Sequence, residues 1–372
     1  MWVKNQMTSL DLVGEIHIIS SVEGVKKIKK KLLKRLKWVS CFVGFTIIIG
    51  LIFPTWTPKI YTSNGISELK EVEINGTNHE VMIRGTDVKN PVIIFVHGGP
   101  GCSEIPYVRK YQDLLEDGFT VVHYDQRASG KSYHFFEDYS NLSKDVLVDD
   151  LLALTEYISN YFRQEKVILI GHSYGTYIAT QAASKAPEKY KAYIGIGQMS
   201  NLIESELDSL NFCILEAELR GNTSDSKYLK DLTLKITTGE RITPRKYVRK
   251  YGGASRLIND NEDCIKGLLF GSEYNLLDTI RYYCGVSYCQ DVLIKQAYDE
   301  PLPDLVTSLD LPFYFILGKY DYMTSASAAK NYFDSISTSA SKKFILYEDS
   351  AHYPQFEEEE KFYNWICDTF TK

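Results

Sequence analysis

The sequence predicts an α/β fold on a mostly parallel central sheet, with a helical insertion late in the chain and an apolar helix ahead of everything. Three observations carry this. Short apolar runs of strand length, at residues 92–96, 119–124, 167–170, 192–197, 313–317 and 344–347, alternate with helical stretches such as 146–162, the pattern of repeated strand–helix units. Between residues 198 and 305 that alternation stops and the chain reads as helix, broken at Gly221 and Gly252-Gly253. Residues 38–56 carry no charge and follow a lysine-rich run.

Taken in order, residues 1–37 read as a cytoplasmic tail ending in a basic cluster, Lys26 to Lys37. Residues 38–56 are expected to cross a membrane: a span near this length covers ~30 Å of hydrocarbon as a helix. Trp38 and Trp56 would sit near the two interfaces, and the lysines would stay on the cytoplasmic side, which puts the rest of the chain outside. No small-residue cleavage site follows, which favours an anchor over a signal peptide. Pro54, Thr55, Pro58 and Ser63-Asn64-Gly65 read as a linker, and residues 69–74 and 79–83 as a hairpin about Asn75-Gly76. Residues 57–197 and 306–372 then form two parts of one core, with 198–305 as a cap between them. With 44% hydrophobic and 24% charged residues, 372 residues suit one large domain plus an insertion. A net charge of −6 with no basic patch in the catalytic part argues against nucleic-acid binding. Seven cysteines show no zinc-type spacing, and a disulfide within the cap stays open.

The chemistry centres on Gly171-His172-Ser173-Tyr174-Gly175, directly after the apolar run 167–170 and ahead of a helical stretch. G-x-S-x-G between strand and helix is the sequence form of a nucleophile elbow. A serine hydroxyl needs a base, and the base an orienting acid, in the chain order Ser, Asp or Glu, His. Asp321 follows the run 313–317; His352 follows the run 344–347 and is the only histidine beyond Ser173. Asp304 and Asp310 precede the strand and are passed over. The expected triad is Ser173, Asp321 and His352. His97-Gly98-Gly99-Pro100-Gly101, after the run 92–96, is the expected oxyanion loop, with the amides of Gly99 and Tyr174 as donors and Gly98 beside the substrate. No metal or cofactor is called for. A phosphate-loop reading of Ser129-Gly130-Lys131-Ser132 fails because glycine would be needed at Asp125.

His97-Gly98-Gly99-Pro100-Gly101, Asp125-Gln126-Arg127-Ala128-Ser129-Gly130-Lys131-Ser132 and the elbow together resemble the proline iminopeptidase group of α/β-hydrolases, from about residue 60 to the C-terminus. Ala128 departs from the glycine usual there, and His172 and Tyr174 depart mildly at the elbow. The resemblance implies an α/β-hydrolase fold and removal of an N-terminal residue, often proline, from short peptides. It also implies cap glutamates that hold the free amino group; Glu204 and Glu206 are the first candidates, Glu216 and Glu218 the next. Asp125 and Arg127 are expected to make structural hydrogen bonds beneath the site. An ester or lipid substrate is the alternative, and a non-catalytic interaction module a third possibility that the intact triad opposes.

Overall fold

The computed structural model describes residues 9–371, with side-chain environments from residue 26 onward. It separates into two compact units, one ending at Phe53 and the other beginning at Pro54.

The first unit is a single helix, Ser9–Ile52, so the basic cluster lies on the same helix as the apolar segment. Residues 1–8 of the expected tail lie outside the described residues. Lys26–Ile52 is long and apolar enough to cross a membrane, and its large apolar side chains, Trp38 and Phe42 among them, are exposed. The helix stops four residues short of the expected span. Pro54 has no N–H to give and pushes the residue before it out of helical geometry. Trp56 belongs instead to the second unit, where its N–H donates to the Ser272 carbonyl at 2.9 Å.

The second unit is built on an eight-stranded sheet: β1 (Ile66–Ile74), β2 (Thr77–Gly85), β3 (Val92–Val96), β4 (Thr120–Tyr124), β5 (Val167–His172), β6 (Tyr190–Ile196), β7 (Phe313–Gly318) and β8 (Lys342–Tyr347). Their order is β1-β2-β4-β3-β5-β6-β7-β8. The first two strands form the expected hairpin, with Asn75 and Gly76 both at positive φ, as a two-residue turn with the right twist requires. β2 joins β4 antiparallel, and every later pairing is parallel. The central strands are mostly apolar because both faces are covered. Ile94, Val96 and Leu169 enter one core with Leu147, Leu151 and Ile178, while Ile93, Phe95, Ile168 and Ile170 enter another with Phe119, Phe362 and Ile366.

Between β6 and β7 the chain is helical, as expected. Asn201, Asn222, Asn259 and Asn275 each cap a helix there by accepting from the backbone N–H three residues on. The insertion has its own small core of Leu210, Cys213, Leu229, Ile236 and Val248. Its last helix, Leu276–Asp299, also sends Cys289, Leu293 and Ala297 into the main core. None of the seven cysteines is in a disulfide.

Candidate active site

Ser173 stands between β5 and the helix Tyr174–Lys185 with φ 54° and ψ −125°, a conformation that side-chain-bearing residues rarely adopt. The turn is held by Ser173 N–H donating to the Ile196 carbonyl at 2.9 Å and by Thr176 N–H donating to the Ser173 carbonyl at 2.9 Å. The flanking glycines are needed for close approach. A Cβ on Gly171 would lie 2.8 Å from Thr176 Cα, and one on Gly175 would run into the Val96 carbonyl. Gly98 faces the serine directly, since a Cβ there would lie 2.7 Å from Ser173 Cβ and 3.2 Å from its Oγ.

Asp321, fully buried, sits just past β7. Its Oδ1 accepts from the N–H groups of Met323 at 2.9 Å and Thr324 at 3.0 Å. Oδ2 accepts from Thr324 Oγ1 at 3.0 Å and lies 2.8 Å from His352 Nδ1. The carboxylate is therefore fixed on one side by backbone and presented on the other to the imidazole, which holds the hydrogen on Nδ1 and leaves Nε2 free to act as a base. Gly197, at φ 54°, makes room: a Cβ there would fall 2.8 Å from His352 Cε1. Among the described residues, Ser173 Oγ and His352 share no hydrogen bond of 3.5 Å or less in this conformation. Both side chains line one cavity of about 350 Å³ between the core and the insertion. Without substrate such hydrogen bonds are often long and tighten on binding.

Gly98 and Gly99 line the same cavity. Tyr174 supplies the first N–H of its helix, one of the donors that a helix leaves without an internal partner. His97 braces the glycine loop. Its Nε2 accepts from Gln126 N–H at 3.1 Å, so Nδ1 carries the hydrogen and donates to the Gly98 carbonyl at 2.9 Å. Burial lowers His97 to about 4 and keeps it neutral. Asp125 and Arg127 take structural roles. Arg127 forms a two-pronged pair with Asp150 at 2.7 and 2.8 Å. Asp125 accepts from Tyr274 OH at 2.5 Å and Lys131 N–H at 2.7 Å, and burial pushes it up to about 7. Ala128, where the resembling group has glycine, stands at φ 62°.

A second ionic pair went unread in the sequence. Glu104, on the loop after Gly101, is buried with Oε1 2.6 Å from His172 Nδ1, and His172 Nε2 lies 3.0 Å from the His352 carbonyl. Both nitrogens of His172 face acceptors, which favours the doubly protonated ring. Burial opposes both charges, but their mutual contact outweighs it, holding Glu104 below and His172 above their ordinary values. The pair clamps the backbone of His352. Glu104 is the one carboxylate lining the cavity, and its Oε2 has no partner among the described residues.

The cap glutamates do not reach the cavity. Glu204 accepts from Asn331 Nδ2 at 2.7 Å on the outside. Glu206 is fully buried but paired with Arg245 and with Thr243 N–H, the latter at 2.8 Å. Two residues apart on a helix they point ~200° from one another, so one site cannot collect both. Glu216 is paired with Arg220 at 2.8 Å and Glu218 with Lys230 at 2.5 Å. What the insertion does bring to the cavity is Arg245 and Arg249 together with Ile242, Gln290 and Ile294.

A strained serine on a strand–helix turn, with an acid and a histidine after two later parallel strands, defines a class. The profile of the α/β hydrolase fold matches residues 91–359, and the chain belongs to that family. Within it, the chain is 30% identical over 312 residues to a Bacillus subtilis protein named "Probable aminopeptidase YbaC", covering 81% of this chain and 95% of that one. It is 26% identical over 288 residues to a proline iminopeptidase of Saccharolobus solfataricus, 73% of this chain and 82% of the relative. A crystal structure of proline iminopeptidase from Mycobacterium smegmatis shares the fold, with a TM-score of 0.61 at 15% identity over 82% of this chain and 98% of that one. The resemblance to the proline iminopeptidase group drawn from the three motifs is borne out.

Proposed function

We propose that this protein is a serine aminopeptidase that releases an N-terminal residue, proline or another small apolar one, from short peptides. One juxtaposition supports the reading above all: the Asp321–His352 pair opens into the same cavity as the strained Ser173 and the glycine loop. The names of the relatives point the same way. Residues 198–305 act as a cap over a core of 57–197 and 306–372.

Ser173 Oγ bonds to the scissile carbonyl carbon while its proton passes to His352 Nε2, and the oxygen that becomes negative is met by the amides of Gly99 and Tyr174. As the C–N bond breaks, the imidazolium returns the proton to the leaving amine. Water, deprotonated by the same nitrogen, then opens the acyl-ester and restores the serine. No cofactor enters these steps. Glu104 supplies the negative charge that the substrate's ammonium meets.

The assay is hydrolysis of prolyl- and alanyl-arylamides, their N-acetyl forms and nitrophenyl esters. Free-amine arylamides are expected to be cut and their acetylated forms to lag by at least about 100-fold. Ester turnover without amide turnover would overturn the reading in favour of an esterase. Glu104→Gln keeps an acceptor for His172 but removes the charge. It is expected to lower kcat/KM on free-amine substrates by ~10- to 100-fold, the worth of a hydrogen bond to a charged group. Slow turnover of the acetylated forms should fall much less, by only as much as the loosened His172 clamp on His352 affects every substrate alike.

The helix Lys26–Ile52 is proposed to anchor the protein, with the lysines on the cytoplasmic side and the hydrolase unit outside. Protease added to intact cells should remove the hydrolase unit; a shielded unit would refute the orientation.

A further inference from the structure

A second pocket, of about 530 Å³, opens beside the catalytic cavity, and Arg249 lines both. Its remaining charged walls are Arg220, Lys250 and Arg256 against a single acid, Asp349. The lining carries four cations and one carboxylate, but acids outside it pair three of the cations, so the attraction for an anion rests chiefly on the fourth.

The cations are held in different ways. Arg249 is anchored from behind by the buried Asp260. Lys250 and Arg220, both half exposed, have Asp225 at 2.5 Å and Glu216 at 2.8 Å. Arg256 is the exception. Its guanidinium lies over the Tyr320 ring at 3.8 Å from the centroid, and no carboxylate stands within 4.0 Å of it among the described residues. A guanidinium ordered by stacking, its planar fork of donors unclaimed by any carboxylate, suits a ligand carboxylate.

The floor of this pocket is sewn to the loop that carries His352. Arg256 N–H and Leu257 N–H donate to Glu357 Oε2 at 2.8 and 3.0 Å, and the nearby Ala254 carbonyl accepts from His352 N–H at 3.0 Å. The basic pocket thus has a fixed place beside the reacting centre.

Resting on the aminopeptidase reading, we infer that this pocket receives the anionic end of the substrate: the C-terminal carboxylate of a short peptide whose first residue lies over Ser173, or an acidic side chain near that end. Arg249 stands at the junction, so the peptide runs past it from the catalytic cavity into the pocket. The enzyme then selects short, negatively charged peptides over neutral ones and over long chains whose carboxylate lies far away.

The test compares Pro-Ala-Ala as free acid, its C-terminal amide, and Pro-Ala-Glu amide, with a prolyl nitrophenyl ester as control. At low salt the free acid and the Glu-containing amide should exceed the neutral amide by about 10-fold in kcat/KM, and 0.5 M NaCl should shrink that ratio because exposed charges are screened. The two anionic peptides separate a terminal from a side-chain carboxylate as the preferred group. Arg256→Gln should bring the ratio near 1, Arg256→Glu should reverse it, and Lys250→Gln should lower it without touching the stacked guanidinium. Equal turnover of acid and amide by the unaltered protein, or a ratio that survives both Arg256→Gln and Lys250→Gln, sinks the pocket's assignment and leaves the peptidase standing. Ester turnover with no peptide cut overturns the peptidase reading and this inference with it.

Discussion

Ser173→Ala is expected to lower kcat on a prolyl-arylamide by about 10⁶, because a nucleophile, base and acid that act as a unit fail together when one is lost. Residual turnover of 10³–10⁴ over water should remain, from the glycine loop and substrate binding. The fold should not notice, since alanine at φ 54° is strained much as serine is. Ser173→Gly separates the two effects: it is equally inactive, but relieves a conformation worth ~1–3 kcal/mol and should raise Tm above that of the alanine variant. Turnover of the alanine variant within tenfold of the unaltered protein would mean that another residue attacks.

Asp321→Asn should cost about 10⁴ in kcat with little change in KM, and its geometry explains why an isostere is so damaging. The Met323 and Thr324 N–H groups point at Oδ1, so an asparagine would keep its oxygen there and turn its NH₂ toward His352 Nδ1. Two donors cannot face each other. The imidazole would shift its hydrogen to Nε2, the nitrogen that has to accept the serine proton, and the base would be disarmed while the pocket kept its shape. A loss of less than tenfold would show that the aspartate does not orient the histidine.

The sheet and the meeting of Asp321 and His352 at the cavity of Ser173 were legible because both leave local marks. A strand buried on two faces reads as a short apolar run, and each candidate residue lies within five residues of the end of such a run, as Asp321 does after β7. The mainly parallel pairing came from the alternation with helices. Element ends were harder. The helix Lys144–Phe162 begins two residues before the apolar period does, at the Ser143 cap, and the apolar segment near the N-terminus loses its last residues to Pro54. That Glu204 and Glu206 stay away from the cavity was hidden for a different reason. Whether Glu204 or Glu206 faces the cavity depends on the rotation of a helix whose packing partners are far along the chain, and Glu206 is taken up by Arg245, 39 residues on. Glu104 and His172 are 68 residues apart, and nothing local to either announces the other. A glutamate three residues past the glycine loop was the one available signal.

The insertion is stitched to the loops that carry Asp321 and His352 at several points. Tyr322 N–H donates to the Gly253 carbonyl at 2.9 Å, Ser325 N–H to Ser205 Oγ at 2.9 Å, and His352 N–H to the Ala254 carbonyl at 3.0 Å. These ties join the insertion to the very segments that carry Asp321 and His352, so the two move together. Any swing wide enough to admit a bulky folded protein would break these ties and disturb the acid and the base together, which favours short chains at the entrance.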